Sequence, residues 1–95
     1  MDTSTIIRKH VIVTGKVQGV FFRAYTKDAA EKYMITGWVK NKRDGTVEAM
    51  IKGEEENIKQ MMQWLHTGSP ASSVNEVIVD DHNDLSTFTG FEIRY

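Results

Sequence analysis

At 95 residues the chain has room for one domain and none for a second. Hydrophobic residues at 40% and charged residues at 26% exclude a disordered or low-complexity chain, and the lack of cysteine excludes a disulfide framework, a thiolate zinc site, an iron–sulfur cluster and a cysteine nucleophile. A net charge of −1 argues against general nucleic-acid binding, whose affinity comes mostly from neutralised phosphates.

Residues 1–5 read as a flexible start. From Ile7 to Val13 the β-branched cluster Val11-Ile12-Val13 predicts a strand, ended by Gly15. Lys16 to Val20 is a short loop closed by Gly19. Phe22, Tyr25, Ala29 and Tyr33 then step by three, four and four, which predicts a helix with these four residues on its core face. Gly37 opens a second strand through Trp38, Val39 and Asn41. Val47, Ala49 and Ile51 alternate with Glu48, Met50 and Lys52 as a half-buried third strand, and Asp44-Gly45 between the two strands is a hairpin signal because both residues tolerate positive φ. A second helix runs from about Glu54 to His66, with glutamates in the first turn and a stripe of Ile58, Met61, Met62 and Leu65. Gly68 and Pro70 stop it. Val74 to Val79 is a fourth strand, and Phe91, Ile93 and Tyr95 mark a last short one.

The order strand, helix, strand, strand, helix, strand is that of the split βαβ unit. It predicts an α+β ferredoxin-like sandwich: an antiparallel sheet with two helices packed on one face. Such a fold hosts enzymes, RNA binders and regulatory modules, so it does not choose a function. No apolar run reaches the roughly 20 residues that span a bilayer, and the start lacks a basic and apolar leader, so a cytoplasmic protein without membrane contact is expected. Residues 1–45 carry nine bases and four acids, and residues 46–95 three and nine. The basic half permits a local anion site, because the field near the ligand is what matters. Interleaving of the halves in space would cancel the asymmetry.

The stretch Gly15-Lys16-Val17-Gln18-Gly19-Val20-Phe21-Phe22-Arg23 places a glycine-bounded loop between a strand and a helix, with an arginine in the helix's first turn. Glycines let the backbone curl so that successive N–H groups point inward, and the helix start adds its partial positive charge. Arg23 would offer a planar fork to two phosphoryl oxygens. The stretch lacks the Gly-Lys-Ser/Thr ending of a Walker loop and the glycine spacing of a dinucleotide fingerprint. Read from these residues alone, a plain βα turn with a surface arginine accounts for the stretch equally well.

The same stretch resembles the acylphosphatase signature, Gly-x-Val-Gln-Gly-Val-x-Phe-Arg, at Gly15, Val17, Gln18, Gly19, Val20, Phe22 and Arg23. A second segment, Gly37-Trp38-Val39-Lys40-Asn41 followed by Asp44-Gly45-Thr46-Val47-Glu48, is similar to the family's second motif, with Lys40 where arginine or another polar residue often stands. Gly68-Ser69-Pro70, Ser73 and the ending Phe91-Glu92-Ile93-Arg94-Tyr95 resemble its C-terminal half, so the likeness runs from about residue 8 to the end. What it implies is a hydrolase that needs no metal or other cofactor and splits the carboxyl–phosphate anhydride of acyl phosphates. On that resemblance Arg23 and the amides of about Val17 to Phe22 bind the phosphoryl group, and Asn41 orients the attacking water. Its partners would be a small-molecule acyl phosphate and the inorganic phosphate product, and the expected form is a monomer. The alternative is a ferredoxin-like module that binds phosphate or nucleic acid without catalysis; binding needs Arg23 at most, whereas hydrolysis needs Asn41 as well.

Val39 and Asn41 share a parity, and the crossover helix is expected to lay their strand beside the first one, next to the loop. Other residues carry less. His10, His66 and His82 are scattered without ligand spacing, which predicts surface or capping roles, and His66 suits a helix C-terminus. Asp80-Asp81-His82-Asn83-Asp84 lacks the glycine and terminal glutamate of a calcium loop and reads as a solvated turn. Phe22 and Tyr25 are expected in the core, with Phe21 undecided, and Ser4, Ser69, Ser72 and Ser73 lack a nucleophile elbow.

Overall fold

The computed structural model describes residues 5–81 and 87–95; residues 1–4 of the expected flexible start and 82–84 of the acidic run lie outside them. In chain order the elements are β1 (Ile6–Lys16), α1 (Phe22–Lys32), β2 (Thr36–Asn41), β3 (Val47–Glu54), α2 (Glu55–Thr67), β4 (Ser73–Asp81) and β5 (Phe91–Arg94). One five-stranded sheet has the order β4-β1-β3-β2-β5. Its first four strands pair antiparallel, while β5 runs parallel to β2, with Val39 level with Ile93. The architecture is the expected α+β ferredoxin-like sandwich, with a mixed sheet because the last short strand adds a parallel edge.

One register correction matters for the site. β2 does not lie beside β1: β3 sits between them, paired to β1 from Ile6↔Glu54 to Val13↔Val47 and to β2 from Thr36↔Lys52 to Asn41↔Val47. Split βαβ connectivity leaves a gap of one strand after the crossover, and the β2–β3 hairpin fills it. The two sequence halves interleave as a result, since β1 and β2 of the basic half alternate with β4, β3 and β5 of the acidic one.

The core lies where strand parity meets the helix stripes. Val11 and Val13 of β1, Val39 of β2 and Val47, Ala49 and Ile51 of β3 are fully buried, against Phe22, Ala29 and Ala30 of α1 and Ile58, Met61 and Leu65 of α2. Phe22 also meets Trp64 of α2 at a centroid distance of 5.7 Å, tying the helices together. Tyr25 is 43% exposed, against expectation. At about 100° per residue the buried set Phe22, Thr26, Ala29 and Ala30 spans an arc from about −20° to about +80° around Phe22, and Tyr25 at about −60° falls outside it. Met50 departs from the alternation too. It is buried on the sheet's other face, where its cross-strand neighbours are His10 and Trp38.

Two glycines are used differently from the sequence reading. β1 continues through Gly15, which forms a bulge against β4 at φ +115°; a Cβ there would stand 2.2 Å from the Ser73 carbonyl oxygen. In the β2–β3 hairpin only Gly45 takes positive φ, after a turn closed by the Gly45 N–H on the Lys42 carbonyl. Asp44 instead accepts from the Thr46 hydroxyl at 2.6 Å and the Thr46 N–H at 3.0 Å. These bonds, the hydroxyl's first, hold its carboxyl below the ordinary value of 3.8.

Candidate active site

The 15–23 stretch joins β1 to α1 and is held from three sides. The Gly15 bulge fixes how the chain leaves the sheet. The Gln18 side-chain amide donates to the carbonyls of Lys42 at 2.7 Å and Thr46 at 2.8 Å, reaching across the end of β3 to the β2–β3 hairpin. From below, the buried Ser69 hydroxyl donates to the Val20 carbonyl at 2.9 Å. Val17, Val20 and Phe22 are buried, which roots the loop in the core while Gly19 and Phe21 stay at the surface.

The entry to α1 is strained. Phe21 occupies the N-cap at φ 59° and ψ 25°, left-handed backbone in a bulky residue, and its ring is 78% exposed. Such a conformation costs about 1–3 kcal/mol and persists where the surroundings impose it. No side chain caps the helix and no acid stands in its first turn. The first N–H groups of α1 therefore face outward with their partial positive charge unanswered.

Beside this helix start lies a cavity of about 340 Å³ lined by Val17, Gly19, Phe21, Phe22, Arg23, Ala24, Asn41, Ile93 and Tyr95. Its lining side chains include one guanidinium and no carboxylate, which suits an anion. Arg23 leans on the end of β5: its Nη1 donates to the Arg94 carbonyl at 3.1 Å, and its guanidinium carbon lies 4.6 Å from the Tyr95 ring centroid. Arg94 in turn stacks 4.8 Å over Trp38 of β2. Across the cavity, Asn41 ends β2, and its Oδ1 is buried with no hydrogen-bond partner among the described residues. A buried acceptor without a partner is uncommon, and Asn41 is also one of the residues that line the cavity.

Of the residues singled out from sequence, Val17, Gly19, Phe21, Phe22, Arg23 and Asn41 line this cavity. Gly15, Lys16, Gln18 and Val20 do not; Gly15, Gln18 and Val20 shape the loop from behind, and Lys16 is the exposed last residue of β1. Sequence reasoning named Ser69, Arg94 and Tyr95 but gave them no role in the site, and the partners of the first two stand 49 and 71 residues away. No local pattern marks such contacts. His10 pairs with Glu48 across β1 and β3 at 2.6 Å, on the sheet face opposite the core, and His66 is exposed in the last turn of α2. Among the described residues no three His, Asp or Glu side chains gather as a metal would require, and no helix is long and apolar enough to cross a membrane.

The acylphosphatase family profile matches residues 9–93. An acylphosphatase of Haloquadratum walsbyi is 46% identical over 97% of this chain and 98% of its own, and one of Natronomonas pharaonis is 48% identical over 93% and 95%. The solved structure of an acylphosphatase from Coxiella burnetii superposes with a TM-score of 0.90 at 36% identity, covering 99% of this chain and all of the other. With a family profile, full-length relatives and a solved fold that match along almost its whole length, the chain belongs to the acylphosphatase family.

Proposed function

We propose that the chain hydrolyses the carboxyl–phosphate anhydride of acyl phosphates, with Arg23 and the amides around α1's start holding the phosphoryl group and Asn41 holding the water. The observation that carries this reading is the meeting, in one cavity, of a guanidinium, an uncapped helix start and the partnerless Oδ1 of Asn41.

The reaction asks for position and charge, and little else. An acyl phosphate has a good leaving group in its carboxylate, so no covalent nucleophile is required. Water attacks phosphorus, the bond from phosphorus to the acyl oxygen breaks, and its electron pair leaves with the carboxylate. The water's proton passes to a phosphoryl oxygen, giving inorganic phosphate. Arg23 and the backbone N–H groups meet negative charge as it redistributes over the phosphoryl oxygens. Asn41 accepts a hydrogen bond from the water without bringing a charge that would repel the phosphate. The groups named on one chain suffice for the reaction, so the reading needs no more than a monomer as the working form. The cavity's apolar walls, Phe21 and Ile93, offer no polar group to select one acyl chain, which supports broad acceptance of acyl phosphates.

Hydrolysis of benzoyl phosphate, followed by its ultraviolet absorbance with excess EDTA present, tests the reading. Turnover should persist in EDTA. Arg23→Ala should lose about 10²–10³ in rate together with affinity for inorganic phosphate. Asn41→Ala should keep phosphate affinity and lose most of its turnover. No turnover in the unaltered protein, with phosphate still bound, would refute the hydrolase reading and leave a binding module.

A further inference from the structure

A second cavity, of about 530 Å³, lies at the opposite end of the sheet, lined by Ile6, Arg8, Met34, Thr36, Lys52, Gly53, Glu54 and Asn57. Three features there have no structural use. Arg8 and Lys52 stand directly opposite one another in the β1–β3 register, a like-charge arrangement that weakens a sheet. Neither forms an ion pair among the described residues, and Arg8 Nε is buried with no hydrogen-bond partner there. Met34, at φ 58° and 73% exposed, and Ile6, at 50%, put apolar surface on the same cavity.

We propose that this cavity binds a monoanionic amphiphile, a carboxylate bearing a hydrocarbon tail. Its ionisable lining is Arg8, Lys52 and Glu54, a balance of +1, which matches a singly charged head group and disfavours a phosphate dianion. The head group lies between Arg8 and Lys52, relieving their mutual repulsion and accepting from the guanidinium. Thr36 and Asn57 add polar partners at its edge, and the tail covers Met34 and Ile6. The site stands apart from the catalytic cavity and does not depend on how that one works.

Backbone-amide NMR during titration with octanoate tests this, with acetate, 1-octanol and inorganic phosphate as comparison probes. Octanoate should shift the amides of Met34, Thr36, Gly53 and Asn57 saturably, and each comparison probe should bind there at least about tenfold more weakly. Arg8→Gln should weaken octanoate about tenfold or more, with Lys52→Gln read in its place if Arg8→Gln loses its dispersed spectrum, while Arg23→Ala should leave octanoate binding unchanged. Shifts confined to the Arg23 and Asn41 cavity, octanol or phosphate binding as well as octanoate, or full affinity in the folded Arg8→Gln or Lys52→Gln protein would each overturn the proposal.

Discussion

Replacing Gln18 by methionine keeps the side chain's length and removes both bonds that tie the signature loop to the β2–β3 hairpin. The cost can be bounded from the partners left behind. The Lys42 carbonyl still accepts from Gly45 N–H at 3.3 Å, and the Thr46 carbonyl from Lys42 N–H at 2.9 Å, so neither oxygen is orphaned. The loss is then two net hydrogen bonds, about 2 kcal/mol, without a further desolvation penalty. A 95-residue domain holds about 5–14 kcal/mol in total, and a midpoint moves about 4–8 °C per kcal/mol at this size, so the melting temperature should fall by about 8–16 °C. Activity should suffer separately. Asn41 immediately precedes the hairpin carbonyl that Gln18 holds, so on the proposed mechanism a slack tether lets its amide drift from the signature loop, and a drift near 1 Å costs about 10²-fold in kcat/KM. The assays are a calorimetric melt and benzoyl phosphate hydrolysis well below the new midpoint. Gln18→Glu sharpens the test: at neutral pH its carboxylate faces two carbonyl oxygens and should be worse than methionine, recovering in part in acid, where a protonated carboxyl donates one bond. A methionine variant that melts within about 2 °C of the parent with unchanged kcat/KM would refute the tether.

Three further outcomes follow from the same geometry. Ser69→Ala removes the buried donor to the Val20 carbonyl and should cost about 1–3 kcal/mol in urea denaturation, with Ser69→Thr retaining part of it. Gly37→Ala would place a Cβ 1.9 Å from the Met50 carbonyl oxygen at φ +138°, so the variant should fail to give a dispersed NMR spectrum at room temperature. Asp44, whose carboxyl is held below 3.8 by the Thr46 hydroxyl and N–H, stabilises the fold above the unfolded-state value and stops doing so as pH falls through the lower folded one; Asp44→Ala should therefore flatten the acid side of a stability profile below about pH 4 and lower stability at neutral pH.

Local chemistry was legible in the sequence; what depended on register was less so. Each helix and strand followed from periodicity and glycine placement, because those signals are set by residues within a few positions of one another. The alternation of Val47, Ala49 and Ile51 found the core face of β3 but misjudged Met50, which is covered by cross-strand neighbours that a single-strand pattern does not contain. Tyr25 was misplaced for a related reason. A step of three or four fits two neighbouring arcs of a helix, and the sheet chose the arc through Thr26. Placing Asn41 near the signature loop by laying β2 beside β1 was wrong in its route. The loop reaches β2's end only because Gln18 spans the β3 terminus, and that span follows from a strand order that parity does not fix.

On the proposed function, the cavity's suitability for anions arises from how the elements end, more than from how many cations they carry. Arg23 is the one cationic side chain in its lining, yet the arginine alone would be an exposed fork with many rotamers to lose on binding. β5 removes that freedom by accepting one of its N–H groups at the Arg94 carbonyl and backing its plane with Tyr95, which it can do only because the strand runs parallel to β2 and so ends at the same edge as Asn41. The strained Phe21 makes the complementary contribution. By turning the chain left-handed at the N-cap it leaves no side chain in position to cap α1, and the amides that a serine or aspartate would have satisfied stay open to the cavity. Donors held in place before the substrate arrives need not reorganise when charge moves in the transition state, which is where fixed dipoles gain most over water. On this view the parallel edge strand and the uncapped helix start serve one purpose, and the backbone strain at Phe21 is the cost of meeting it.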